Sequence, residues 1–282
     1  MNHVRTTLLA LMTILCLAMT AACRQEEPPP LVPIEAGQVI QFEFPQLPAT
    51  LYTVHTGRFE PALLSARLPD NYTDVGTFPL LVFLEGGHGG TATESELDRL
   101  RSITQDRDFI IATMPLFKRI VDRREPHEGL MISLDDLPVL ADAYRTMLDE
   151  LRATIPNIDA RHSVLGGFSN GANATALLVS GQDATTLSHY RHFFFIEGGL
   201  NLTGLYKRSL RDRSFLIMVG DQGEARERKR MLETSAMLTE MAEHFRLNMR
   251  RVIMHGVGHA FPAEYEPTLR EWLYRVADLP RR

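Results

Sequence analysis

Thiols are missing from almost the whole chain. Of 282 residues only Cys16 and Cys23 are cysteines, so neither a disulfide framework nor a cysteine-based metal site can hold the body of the protein together. Its stability must come from a packed apolar core. A basic excess is missing as well: 30 lysines and arginines stand against 35 aspartates and glutamates, a net charge of −5. Without a cationic stripe to displace counterions from phosphates, a nucleic-acid-binding role is excluded. The densest charged stretch, Glu224 to Arg230, mixes both signs and reads as a solvated helix face. No internal repeat recurs. The apolar run Leu8 to Met19 is too short to span a bilayer. The composition, 44% hydrophobic and 23% charged, suits one α/β domain with a substantial core.

At the N-terminus, His3 and Arg5 precede that apolar run, and Ala21-Ala22 precede Cys23. A basic start, a short apolar stretch and small residues form the layout of a secretory signal. The segment resembles the lipobox of a bacterial lipoprotein, with Thr20 where that family usually carries leucine. The resemblance implies that residues 1–22 are removed and that Cys23 is lipidated as the new N-terminus. Ordinary signal-peptidase cleavage is the alternative. Arg24, rather than aspartate, after the cysteine implies delivery to the outer membrane of a Gram-negative cell envelope. Residues 23–36, with Pro28-Pro29-Pro30, read as a stiff polar tether, and residues 37–282 as the folded domain.

Within that domain, strand-like apolar runs alternate with helical patterns, which predicts a mostly parallel sheet with helices on both faces. Strands are expected at Val39–Phe44, Ala62–Leu68, Leu80–Leu84, Phe109–Thr113, His192–Ile196, Phe215–Val219 and Met249–Met254. Ser133 is expected to cap a helix whose apolar face carries Leu134, Leu137, Leu140, Tyr144, Met147, Leu148 and Leu151 at spacings of three and four. Further helices are expected over Glu224–Phe245 and Glu266–Val276, the latter holding the lone Trp272.

Gly167-Phe168-Ser169-Asn170-Gly171 is the stretch that bears most on chemistry. This G-x-S-x-G follows the apolar run His162–Gly166 and leads into Ala172–Val179, which reads as a helix. A serine pinched between strand and helix sits on a strained turn, its hydroxyl clear of the backbone and the helix N-terminus beneath it. The Gly-rich loop Leu84-Glu85-Gly86-Gly87-His88-Gly89-Gly90 follows a predicted buried strand. The backbone N–H of Gly87 and that of Asn170 are candidate donors for a tetrahedral oxyanion. His259, in His255-Gly256-Val257-Gly258-His259, is the candidate proton carrier, since its near-neutral pKa suits both halves of a proton transfer. His255 and His259 are four apart, but the glycines between them disfavour a helix and no glutamate completes a zinc pattern. His88, His189 and His192 read as surface or hydrogen-bonded histidines.

The order of these parts resembles the α/β-hydrolase superfamily, in particular its esterase-D-like, feruloyl-esterase-like and polyhydroxybutyrate-depolymerase-like branch. Leu68-Pro69-Asp70-Asn71-Tyr72, the Gly-rich loop, Gly167–Gly171 and Gly258-His259 carry the resemblance over roughly residues 60 to 280. It implies a serine esterase in which Ser169 attacks, His259 moves the proton and a carboxylate orients His259, with no cofactor and no metal. Two departures stand out. Glu85-Gly86 replaces the usual His-Gly opening of the loop, and Gly223 stands where the branch carries its aspartate. Asp221 is slightly preferred as the acid, with Glu197 and Glu224 as alternatives.

The expected function is cleavage of carboxylic esters, small or polymeric, through an acyl-enzyme, by an enzyme tethered to the envelope membrane through lipid. Lys118–Met131, with Arg119, Arg123 and Arg124, is the expected lid or substrate rim. The rival expectation is a hydrolase-fold lipoprotein that has lost catalysis and serves in binding or envelope assembly.

Overall fold

The continuous apolar runs become central strands. A computed structural model describes residues 34–45, 51–54, 59–60, 62–87, 94–119 and 134–280. Eight strands form the main sheet: β1 (Val39–Phe44), β4 (Ala62–Arg67), β5 (Leu80–Leu84), β6 (Ile110–Met114), β8 (Val164–Phe168), β9 (His192–Ile196), β10 (Ser214–Gly220) and β11 (Asn248–Met254). Their spatial order is β1-β4-β6-β5-β8-β9-β10-β11. β4 runs antiparallel to both β1 and β6, and the other pairs are parallel. Every residue of β5, β6, β9 and β10 is buried. A strand covered on both faces has no polar side to present, so its sequence is predominantly apolar, with Thr113, His192 and Ser214 as the polar exceptions in β6, β9 and β10. Short β2 (Leu51–Val54), β3 (Phe59–Glu60) and β7 (Lys118–Arg119) form a separate three-stranded sheet that the sequence pattern does not announce.

The helices are α1 (Glu94–Thr104), α2 (Leu137–Thr154), α3 (Asn170–Ser180), α4 (Ala184–His189), α5 (Ala225–His244) and α6 (Glu266–Val276). Trp272 on α6 is fully buried and meets Phe194 of β9 edge-on at 6.4 Å between ring centroids. On its other side Phe194 stacks with Phe83 of β5. One apolar cluster thus ties the last helix to the middle of the sheet, and burying side chains of this size contributes about 1.5–3 kcal/mol each.

Several expectations shift in detail. Leu134 lies in a 3-10 turn, 59% exposed, rather than on the buried face of α2. Pro138 explains this: it has no N–H to donate, so it belongs in the first turn, and the α-helix begins at Leu137. The strand before the serine runs two residues farther than expected, through Phe168. The helices α1 and α4 were not expected, although α1 carries Leu97, Leu100 and Ile103 at a spacing of three, all buried in the core. Ser133, His88, Arg123 and Arg124 lie outside the described residues, as do Cys23 and the signal segment. Only Lys118 and Arg119 of the expected lid are described, paired to Leu51 and Tyr52. Among the described residues no helix is long and apolar enough to cross a membrane.

Candidate active site

Because β5, β8, β9, β10 and β11 are mutually parallel, the loops that follow them all emerge at one edge of the sheet. That edge, outside the carboxyl ends of the strands, is where open α/β sheets place ligands. Ser169 comes directly after β8. Its φ of 53° and ψ of −114° put it in a region that costs a non-glycine residue about 1–3 kcal/mol. Its N–H donates to Ile196 O at 2.8 Å, and its carbonyl accepts from Asn173 N as α3 begins. The turn is therefore held from both sides while the side chain stays clear.

Gly171 makes this crossing feasible. A Cβ there would fall 2.0 Å from Leu84 O, and one on Gly86 would fall 3.0 Å from the Ser169 Cβ. The loop after β5 thus passes against the first turn of α3 at backbone distance. Asn170 Nδ2 donates to Gly87 O at 2.6 Å, linking the two segments whose N–H groups are the candidate oxyanion donors. As the first residue of α3, Asn170 has a backbone N–H without an intrahelical acceptor. Gly87 adopts a φ of +85°, a conformation open chiefly to glycine.

His259 reaches the serine. Its Nε2 lies 2.8 Å from Ser169 Oγ, and its Nδ1 lies 3.2 Å from Glu197 Oε2. The imidazole is about half exposed whereas the Glu197 side chain is wholly buried. Phe168 packs against the ring at 5.1 Å between centroids. Glu197 follows β9 and, like Ser169, has a φ of 53°. Two strained non-glycine residues at the ends of adjacent strands thus meet one histidine. Glu197 Oε1 accepts the N–H of Gly220, and Oε2 accepts Arg228 Nη1 at 2.6 Å.

The three carboxylates kept open by the sequence separate here. Asp221, the preferred one, turns to His255 instead, accepting its Nδ1 at 2.9 Å and the Gly256 N–H at 2.8 Å. These two donors hold its carboxyl below the usual aspartate range. The reason lies in position: Asp221 leaves β10 directly, level with the start of the loop after β11, where His255 and Gly256 stand. Glu224 is exposed at the start of α5, where its carbonyl accepts the Arg228 N–H. Glu197 is the carboxylate that meets His259.

Arg228 corrects the reading of Glu224–Arg230 as a fully solvated face, since it is only 6% exposed. The signal was present in the helix period. The buried side of α5 is Arg228, Met231, Ser235, Leu238 and Ala242, so Arg228 extends an apolar stripe by one turn at the i, i+3 step. The Asp221–His255 pair has no comparable signal. His192 departs from its expected role too, being buried with neither ring nitrogen hydrogen-bonded. Among the described residues no group of three or more potential metal ligands is clustered.

No family model matches the sequence, and no curated protein matches it. Solved structures do match. A thermostable esterase superposes with a TM-score of 0.54 at 17% identity, covering 84% of this chain, which spans 62% of that longer protein. Esterase 2 of Thermogutta terrifontis, phosphorylated by paraoxon, gives 0.56 at 14% identity over 92% of this chain and all of its own. The S-formylglutathione hydrolase of Agrobacterium tumefaciens gives 0.54 at 11% identity over 88% and 97% of the two chains. At such identities the likeness speaks to architecture alone: the chain has the α/β-hydrolase fold that these esterases share.

Proposed function

We propose that the protein is a serine hydrolase of carboxylic esters, with Ser169 as nucleophile, His259 as proton carrier and Glu197 as the orienting acid. The observation that carries this reading is the unbroken relay from Ser169 Oγ to His259 Nε2 at 2.8 Å and from His259 Nδ1 to Glu197 at 3.2 Å. A buried carboxylate on Nδ1 fixes the tautomer that leaves Nε2 free to accept the serine proton. Ser169 Oγ then attacks the ester carbonyl carbon as its proton passes to Nε2. The oxygen that becomes negative is received by the N–H groups of Gly87 and Asn170, each donor contributing about 3 kcal/mol to the transition state. Collapse expels the alcohol, which takes the proton from Nε2, and water attacks the acyl-serine by the same route in reverse. The alternative, a hydrolase-fold protein without catalysis, is supported by Gly223 standing where an aspartate was expected and by Glu85 in place of the usual histidine; Glu197 beside His259 offers a carboxylate that answers the first of these.

The Thermogutta esterase is phosphorylated by paraoxon, and the same class of reagent tests this chain. A fluorophosphonate should label the wild type at Ser169, and Ser169→Ala should lose both label and hydrolysis of short p-nitrophenyl esters by at least 10³-fold. Equal labelling of the two proteins overturns the assignment. On location, the reading is a lipoprotein of the cell envelope lipidated at Cys23, supported by the sequence pattern around that cysteine. Metabolic labelling with a palmitate analogue should mark the wild type and spare Cys23→Ser.

A further inference from the structure

Gly223 occupies the place where the resembling branch keeps its aspartate, and Arg228 fills the space this leaves. A Cβ on Gly223 would fall 2.8 Å from Arg228 Nε, so a side chain at 223 and the observed guanidinium cannot coexist unshifted. Arg228 is buried to 6% exposure and reaches Glu197 Oε2 at 2.6 Å. His259 Nδ1 lies on that same oxygen. One carboxylate oxygen therefore serves two cationic partners, one permanent and one formed only when His259 takes up a proton.

We propose that Arg228 is a positioning residue that shares Glu197 Oε2 with His259 and so sets the pH at which the imidazole accepts a proton. The inference rests on the Ser169–His259–Glu197 reading and adds a fourth member to it. The balance of charge explains the effect. At rest Glu197 and Arg228 cancel, and proton uptake by His259 takes the cluster from neutral to singly positive. Arg228 Nη1 and His259 Nδ1 are no farther apart than the sum of 2.6 and 3.2 Å. At that separation, with Arg228 and Glu197 buried on one side of a half-exposed imidazole, a fixed positive charge opposes a second one. Arg228 thus weakens the hold of Glu197 on an imidazolium while keeping the carboxylate in place.

The other groups around the imidazole leave this role open. From the β8 turn His259 meets the Ser169 hydroxyl and the Phe168 ring, neither of them charged. From the β10 turn Asp221 is taken by His255, on the loop of His259 itself. Arg99 of α1 lies over the Phe261 ring, two residues beyond His259, at 5.9 Å. Glu197 and Arg228 are the charged pair in the hydrogen-bonded chain.

The test is a histidine Cε1 NMR titration of the full domain, with the His259 signal identified by its loss in His259→Gln. In Arg228→Gln, which keeps a donor but removes the charge, the His259 midpoint should rise by about one pH unit. The acid limb of kcat/KM should rise with it while KM stays constant. Arg228→Lys should remain nearer the wild type. Gly223→Ala keeps every charge and crowds the guanidinium, and its φ of +136° adds backbone strain at that bend, so it should move the midpoint the same way by less. If Arg228→Gln does not fold, Arg228→Lys and Gly223→Ala, each checked for a folded spectrum, provide the answer. Unmoved midpoints in the folded variants, with only lowered thermal stability, would reduce Arg228 to a structural salt bridge and overturn the proposal. Because the titration needs no turnover, it still decides the role of Arg228 should the wild type prove unable to cleave esters or take a fluorophosphonate.

Discussion

Two imidazole–carboxylate pairs stand side by side at the carboxyl edge of the sheet, and they are built in opposite ways. His259 meets Glu197, whose side chain is fully buried and takes two further donors, Gly220 N–H and Arg228. His255 meets Asp221 at a shorter distance, but its imidazole is 80% exposed. Distance alone would select the pair that does not reach Ser169. A buried carboxylate cannot turn away to water, so it fixes the orientation of its histidine, whereas the exposed pair is screened and free to reorganise. What distinguishes the two is the enclosure of the acid and what lies beyond the histidine: Ser169 beyond His259, solvent around His255.

The largest expected effect comes from breaking the enclosed pair. Glu197→Gln keeps the volume but removes the charge, so it should cut kcat/KM by about 10³–10⁴-fold. It should also destabilise the fold by about 3–5 kcal/mol, because Arg228 is then left buried without its counter-ion. Ester hydrolysis and urea unfolding measured on the same preparation check both halves. A variant that retains more than a tenth of wild-type activity would strip Glu197 of its role.

Glu197 was one of three open choices in the sequence, and the reason is physical. Ser169 and His259 announce themselves through the glycines that flank them, at 167, 171, 256 and 258, of which the first three are required by close backbone approach or a positive φ, and these can be read locally. An acid needs only a carboxylate at the end of some strand, and three strand ends or helix starts offered one. Choosing among them requires knowing how far each turn projects, which depends on the relative lengths of β9, β10 and β11. The parallel sheet was legible for a related reason: strands buried on both faces leave continuous apolar runs such as Leu80–Leu84 and Phe193–Ile196. The small β2-β3-β7 sheet left none, because its strands are two to four residues long. Arg228 was hidden by composition, as one of three arginines in a seven-residue stretch rich in charge, although the period of α5 pointed to it.

A third histidine sharpens the contrast because it has no carboxylate at all. His192 opens β9, the strand that ends beside Glu197, and it is buried with both ring nitrogens unpartnered. Burial chiefly, and then His162, Arg191 and Arg213 nearby, lower its pKa to about 4. Between pH 4 and its ordinary value of 6.5 the unfolded chain binds this proton and the folded chain does not. Stability therefore rises with pH across that window and is lost as pH falls through it, by on the order of 3 kcal/mol in full. His192→Phe, in a strand that already reads Phe193-Phe194-Phe195, should remove this component. The unfolding free energy of the variant, measured in urea from pH 7 down to pH 4.5, should decline less steeply than that of the wild type. Parallel declines would mean that His192 is not the group responsible.

The smallest effect is expected at the exposed pair, and its smallness is the point. Asp221→Asn removes the charge that holds His255 and keeps an oxygen able to accept the Gly256 N–H. The hydrogen bonds to Asp221 keep its carboxyl low, so the pair's contribution is present above the ordinary aspartate pKa and fades as pH falls through the lowered one. At neutral pH the wild-type pair is therefore complete, and Asp221→Asn samples its full loss. Screening by water should still limit the change in kcat/KM to about threefold, with a comparably small shift in Tm. A single loop carries both histidines, so any larger coupling would travel from His255 to His259 through four residues of backbone. If Asp221→Asn lowered kcat/KM a hundredfold at unchanged Tm while Glu197→Gln remained active, the acid would be Asp221, reached by a rearrangement of that loop. With the two variants in the expected order, the role of each carboxylate follows from its surroundings, since the shorter hydrogen bond belongs to the pair that matters less.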